Sequence, residues 1–291
     1  MVLMDREPSR AEDSLAGLLP PIRRARGFHL YDHHGKRYLD LHLSGGRSLL
    51  GHRPEKVLLE LKNLASRGLL GDLPSVYEAR LHKALLALIP DHPVVRVFAN
   101  EERLIAALRG VLPGMPPAVD DPILRLGEGW GDPDSATLRR WRPLAPVTDG
   151  ISGVSVLVPV LPFPASFAPS VACFRNLPED AAPKSDPVSP ALLGALTKAL
   201  YELRSLEGRY HEERGAPFDA PWWQRIGPYL VAKCEKGEYS ELFRRLLEKG
   251  IYINPEFPGP SIVPLEYSEG ETRPLRELAR VWAAERGEGE R

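Results

Sequence analysis

Prolines set the first limit on what this chain can fold into. It has 30 of them, and 15 fall between residues 111 and 190. An internal proline removes a backbone donor and clashes with the preceding helical turn, so this middle stretch is expected to hold no long helix. It has room for short strands and extended connections. Two apolar runs inside it, 154–161 and 171–174, read as buried strands, and 127–134 (GEGWGDPD) reads as a loop.

The flanks obey other rules. Residues 1–20 form a polar lead-in. Residues 28–32 and 37–43 read as a β-hairpin around Asp32-His33-His34-Gly35, where the glycine supplies the turn. Pro54 opens a helix with an apolar stripe at Val57, Leu58, Leu61, Leu64 and Ala65, closed by Gly68. Ser75 with Glu78 is a capping-box start for a second helix that Pro90 stops. Residues 94–98 form an apolar strand, and Asn100 caps the helix that follows. Beyond the proline-rich part, Ser189-Pro190 begins a long helix. Residues 229–232, a stripe at Leu242, Phe243, Leu246 and Leu247, and residues 251–253 read as a strand–helix–strand unit of the βαβ kind. A last helix spans 274–285.

With 291 residues, 43% hydrophobic and 26% charged, the chain has ordinary globular composition. A formal net charge of −1 gives no global footprint for nucleic acid or an anionic membrane. No apolar run approaches the length of a membrane span, and residues 1–10 lack an apolar signal core. Two cysteines, Cys173 and Cys234, are too few for a disulfide framework. The expectation is a cytoplasmic protein.

Three elements in order carry a resemblance: Gly27-Phe28-His29-Leu30-Tyr31-Asp32, Gly35-Lys36-Arg37-Tyr38-Leu39-Asp40, and Leu50-Gly51-His52-Arg53-Pro54. This opening resembles that of the class III aminotransferases, closest to glutamate-1-semialdehyde aminomutase. Residues 243–252 (FRRLLEKGIY) are similar to the helix and strand that close the same family's small domain. The resemblance implies a reduced form of the pyridoxal-phosphate (PLP) dependent transferase architecture, fold type I. In it a small α+β domain is built from both termini around a shortened central α/β domain. The chain then divides into 1–74, an N-terminal arm and the first part of the small domain; 75–188, a proline-rich remnant of the large domain; and 189–291, the rest of the small domain. Since family members generally dimerise, the resemblance also implies a homodimer.

The centre departs from the family's pattern. The family holds the cofactor phosphate with a Ser-Gly-Ser/Thr-Glu-Ala turn at a helix start, where free N–H groups and the helix dipole face the anion. Here that stretch is Phe98-Ala99-Asn100-Glu101-Glu102-Arg103, so Asn100, Glu101, Glu102 and Arg103 form a degenerate phosphate turn that is expected to repel anions, apart from what Arg103 offers. No lysine lies between Lys83 and Lys184 and no histidine between His92 and His211, although a Schiff base needs a lysine. Lys184 is the one substitute, and its polar surroundings read more simply as a solvated loop. No acid stands in the strand at 156–160, where the family has its Asp-Glu-Val.

Other candidates have simpler readings. His29, His33, His34, His42 and His52 invite a metal, but their spacing completes no ligand set. Cys173 reads as a buried inert thiol. Phe163 and Phe167 among their prolines, and Trp222-Trp223, are candidates for an interaction surface, the tryptophans also reading as a hydrophobic anchor. The leading expectation is therefore a non-catalytic binding, regulatory or assembly protein with no cofactor. The rival is an active PLP enzyme using Lys184 or groups from a partner chain. A third reading is a different enzyme using Glu101, Glu102 and Asp149.

Overall fold

In a computed structural model of the chain, the described residues are 14–112, 119–124, 138–145, 154–164, 166–210 and 212–285. In chain order the main elements begin with β1 (Ile22–Arg26), β2 (His29–Asp32), β3 (Arg37–Asp40), α1 (Glu55–Ser66) and α2 (Val76–Leu86). Next come β4 (Val94–Phe98), α3 (Glu101–Val111), β5 (Leu138–Trp141), β6 (Val156–Pro159), β7 (Ser170–Phe174) and α4 (Pro190–Arg204). The chain continues with β8 (Trp223–Ile226), β9 (Tyr229–Ala232), α5 (Lys236–Glu248), β10 (Ile251–Tyr252), β11 (Ser261–Ile262) and α6 (Glu269–Glu285).

The described parts of the proline-rich middle include three short strands, β5, β6 and β7. With β4 they make a sheet in the order β4-β7-β6-β5, in which only β5 and β6 are parallel. One face, with Val95, Val97, Leu157, Val171 and Cys173, joins a core completed by Leu64, Leu81, Leu85, Leu196 and Leu200 of α1, α2 and α4. The other face, with Phe98, Leu138, Val156, Val158, Ala172 and Phe174, packs on Leu104 and Leu108 of α3. Burial on both faces explains why 94–98, 154–161 and 171–174 read as mainly apolar runs, broken only by Arg96 and Ser155. Strand β5 was not foreseen, because Arg139, Arg140 and Arg142 hide its apolar side.

The outer edge of β4 is closed by the segment before α4. The Val97 N–H donates to Ser185 Oγ at 3.1 Å, and the Asp186 N–H donates to the Val97 carbonyl at 2.8 Å. Blocking an edge this way removes its unpaired backbone groups from competition with other chains.

The two ends of the chain meet. Strands β1, β2 and β3 are antiparallel neighbours, and β10 pairs in parallel with β3 at Leu39 and Asp40. This corrects the expected strand–helix–strand unit: β9 and β10, on either side of α5, lie in different sheets, since β9 joins β8 and β11. A second core fills this region with Tyr38, Leu39, Tyr239, Leu242, Phe243, Leu246, Ile251 and Trp282.

Three of the four proposed surface aromatics belong inside. Trp222 is 1% exposed and packs edge-on against Trp282 at 5.5 Å. Trp223 is buried and donates its Nε1–H to the Phe218 carbonyl at 2.6 Å. Phe163 is buried in the first core, and only Phe167 stands out, at 61% exposure. Aromatics bury so much apolar area that a neighbouring core claims them whenever the chain passes it.

The Leu50-Gly51-His52 motif has a steric basis. Gly51 has φ +80°, and a Cβ there would lie 3.0 Å from the Gly27 carbonyl oxygen, which accepts the His52 N–H at 2.8 Å. Gly51→Ala is therefore expected to cost about 1–3 kcal/mol, read as a lower urea midpoint with unchanged slope.

His92, wholly buried, sets a pH dependence. Its Nε2 lies 3.0 Å from the Val154 carbonyl, which can only accept, so Nε2 carries the proton, while Nδ1 is buried without a partner. Burial holds its pKa below the ordinary 6.5, and burial acts the same way on His42. Below about pH 6.5 the unfolded chain binds these protons and the folded one resists. Stability is thus full above that pH and is lost as pH falls toward the folded values. The thermal midpoint should drop between pH 7.5 and 5, with a shallower slope in His92→Gln.

Candidate functional site

The chain leaves β3 through an unusual turn. Leu43, Ser44, Gly45 and Gly46 have φ of +43°, +52°, +68° and +97°, and together they make one left-handed helical turn. The two glycines adopt it freely, whereas left-handed geometry costs roughly 1–2 kcal/mol per residue bearing a Cβ. Sequence alone placed Leu43 at the end of a strand. It is instead the buried first residue of this turn.

Asp40 holds the entry. Its Oδ1 accepts the N–H groups of His42 at 2.8 Å and Leu43 at 3.0 Å, and its Oδ2 lies 2.7 Å from Nε2 of His52. The aspartate of the second motif and the histidine of the third are thus one hydrogen-bonded unit. His52 is an architectural residue.

Arginines gather beside the turn. Arg142 forks onto Asp121, with Nη2 at 2.6 Å and Nε at 3.0 Å, and donates from Nη1 to the Gly45 carbonyl at 3.1 Å. Its guanidinium sits over the Tyr229 ring, 5.5 Å from the centroid. Burial opposes the Arg142 charge, yet its bonds to Asp121 leave the pKa raised. Arg140 forks onto Glu101 at 2.7 and 3.2 Å and comes within 3.9 Å of Asp121. Gly46 suits this place through its φ of +97°, and Tyr229 and Arg142 lie beside it, 3.5 and 3.7 Å from where a Cβ would stand. Sequence reasoning missed Arg47, Arg140, Arg142, Asp121 and Tyr229. The available signal was charge inside a β-pattern, Arg139-Arg140-Trp141-Arg142, and an arginine directly after a Gly-Gly pair.

The start of α3 holds an anion through Arg103, the exception to the expectation that it repels anions, and through the Ala99 N–H. Asn100 Oδ1 caps the helix by accepting the Arg103 N–H at 2.9 Å. The Asp186 carboxylate accepts the Ala99 N–H at 3.0 Å and pairs with the Arg103 guanidinium at 2.8 Å. An anion does sit here, and it is the chain's own. Arg103, then the Ala99 N–H, lower the Asp186 pKa. Glu101 turns to Arg140, and Glu102 is exposed. With the N–H groups of Ala99 and Arg103 taken and two acids in the first turn, these residues do not fit the phosphate of PLP.

Lys184 is exposed on the segment that closes β4, between Pro183, whose carbonyl accepts Arg96 Nε at 2.9 Å, and Ser185. Asp149 and the 127–134 loop lie outside the described residues. The histidines do not converge: His29 pairs with Glu271 at 2.7 Å, and His33 and His34 stack on the exposed hairpin turn. Among the described residues no group of His, Cys, Asp and Glu could hold a metal. Cys173 is buried, and burial pushes its thiol up to about 12.

Asp40→Ala should leave two backbone donors and His52 without an acceptor in a buried place, at about 2–4 kcal/mol. Asp186→Ala, whose Arg103 partner is 60% exposed, should cost about 1 kcal/mol or less. Paired urea denaturation curves measure the difference.

No protein-family model matches the chain. It is 28% identical over 295 residues to an uncharacterized protein of Treponema pallidum (strain Nichols), covering 84% of this chain and 88% of that one. An uncharacterized protein of Borreliella burgdorferi is 27% identical over 270 residues, covering 89% and 90%. Glutamate-1-semialdehyde 2,1-aminomutase of Thermus thermophilus is 36% identical over 103 residues, 35% of this chain and 24% of the aminomutase. The match thus spans about a quarter of that enzyme's length. Among solved structures, ornithine aminotransferase from Toxoplasma gondii aligns with TM-score 0.61 at 15% identity, covering 92% of this chain and 91% of the other. N-acetylornithine aminotransferase from Stenotrophomonas maltophilia gives TM-score 0.62 at 14% identity, covering 91% and 96%. At such identity the likeness concerns fold alone. The chain has a mixed α/β fold of the PLP-dependent aminotransferase type, consistent with a reduced fold type I architecture.

Proposed function

We propose that this chain is a degenerate aminotransferase-like protein that binds a ligand or partner without Schiff-base chemistry. The observation that carries this reading is the Asp186 carboxylate at the start of α3, an anion of the chain's own that takes the Ala99 N–H and the Arg103 guanidinium where a cofactor phosphate would sit. Two features of the lysines support it. None lies between Lys83 and Lys184, and Lys184 is exposed on an edge-closing segment. A Schiff-base lysine works from a desolvated pocket or beside another cation that favours its neutral amine.

The protein acts as a homodimer in a reducing, cytoplasmic setting. Self-association is supported by Leu70, Leu73 and Val76, which are 61%, 51% and 65% exposed in and just after the connection from α1 to α2. The setting is supported by Cys173 and Cys234, both buried and free of disulfides. Among the described residues no helix is long and apolar enough to cross a membrane.

The opposing reading, an active PLP enzyme, draws on the solved relatives, one of which is a transaminase with PLP bound. Purified protein should show no aldimine band with added PLP, and borohydride should leave no stoichiometric label on any one lysine. A stable band with the label on Lys184 would sink the non-covalent reading.

A further inference from the structure

Among the described residues three guanidinium groups and two carboxylates meet around the left-handed turn, and these do not balance. Glu101 is held by the fork of Arg140, and Asp121 by that of Arg142. Arg47, the residue directly after the turn, makes no side-chain hydrogen bond or ion pair among the described residues, and it is only partly exposed. Burial first, and then the neighbouring charge of Arg140, press its pKa down. A cation withdrawn from water beside other cations is costly unless something pairs with it.

The backbone that carries Arg47 is strained as well, with Leu43 and Ser44 both at positive φ. Such strain persists only where the surroundings over-determine it, and it gathers at binding sites. Space is present too. Ser44 is exposed, and a Cβ at Gly45 would meet nothing within 4 Å.

We propose that Arg47 is the binding residue of a site for a small monocarboxylate, formed over the left-handed turn with the Ser44 hydroxyl alongside and Arg140 and Arg142 as fixed supporting charges. This deepens the non-covalent reading and rests on it. A guanidinium presents a planar fork that matches a carboxylate in two hydrogen bonds. Among the described residues three cations against two anions leave one positive charge, which one carboxylate neutralises. A phosphate dianion would reverse the local sign beside Glu101 and Asp121.

The test uses the full chain and sodium propionate as probe, with sodium chloride at equal ionic strength and inorganic phosphate as comparisons. Isothermal titration and the thermal midpoint are both read. Propionate should bind saturably at one per chain and raise the midpoint above the chloride value, with phosphate weaker. Arg47→Gln should weaken propionate binding about tenfold or more, while its midpoint in chloride stays level or rises, because an uncompensated charge has been removed. Arg47→Lys, which keeps the charge without the fork, should fall between the two.

The site is overturned if propionate and chloride are indistinguishable, if phosphate outbinds propionate, or if Arg47→Gln binds as well as the parent. A large loss of midpoint in Arg47→Gln and Arg47→Lys alike also overturns it, by making Arg47 structural. A flat propionate titration without a PLP label removes this site alone, whereas a label on Lys184 removes the non-covalent reading.

Discussion

The buried carboxylate of Asp40 is the interaction on which the rest of the structure depends. From a position 1% exposed it ends β3, holds two backbone N–H groups at the mouth of the left-handed turn, and pins His52. Its immediate successors tie the sheets together. The Leu41 N–H donates to the Tyr252 carbonyl at 2.7 Å, and the Leu41 carbonyl accepts the Ile262 N–H at 2.6 Å. Residues 40–42 are therefore where the N-terminal hairpin, β10 and β11 converge. One side chain thus satisfies three donors at the junction where Leu43 and Ser44 take positive φ.

Two places in this fold favour negative charge, and the chain treats them differently. At the start of α3, Asp186 reaches across from the segment before α4 and takes the Ala99 N–H and the Arg103 guanidinium. The same segment seals the edge of β4, so the filled anion position and the closed sheet edge come from one stretch of chain. At the left-handed turn, Arg140 and Arg142 have carboxylates of their own, and among the described residues Arg47 does not. Low dielectric raises the stakes of both arrangements, since a satisfied charge network rigidifies its surroundings and an unsatisfied one is strongly biased toward a ligand.

Much of the framework was legible in the sequence. Strand β4 follows the predicted 94–98, and Asn100 caps α3 as its position implied. Pro190 opens α4, and Gly68, at φ +78°, follows α1. Each of these is a local matter of turn, cap or periodicity, in which the deciding atoms lie within a few residues of one another. The three N-terminal motifs were also legible as a set, though not the reason for them, which is a contact between Asp40 and His52 and another between Gly27 and Gly51.

What the sequence by itself determined is the class of elements, the short strands among the described residues of the proline-rich middle, and the absence of lysine from residues 84–183. Tertiary structure alone decided that β10 pairs with β3 and not β9, that Trp222, Trp223 and Phe163 face a core, and that Asp186 fills the start of α3. It also decided that Leu43 leaves the strand for a left-handed turn and that Arg47 has no ion-pair partner among the described residues. These outcomes depend on groups far apart along the chain competing for the same neighbours. Propensity and spacing describe each competitor, but burial and charge pairing choose among them only once the backbone has brought them together.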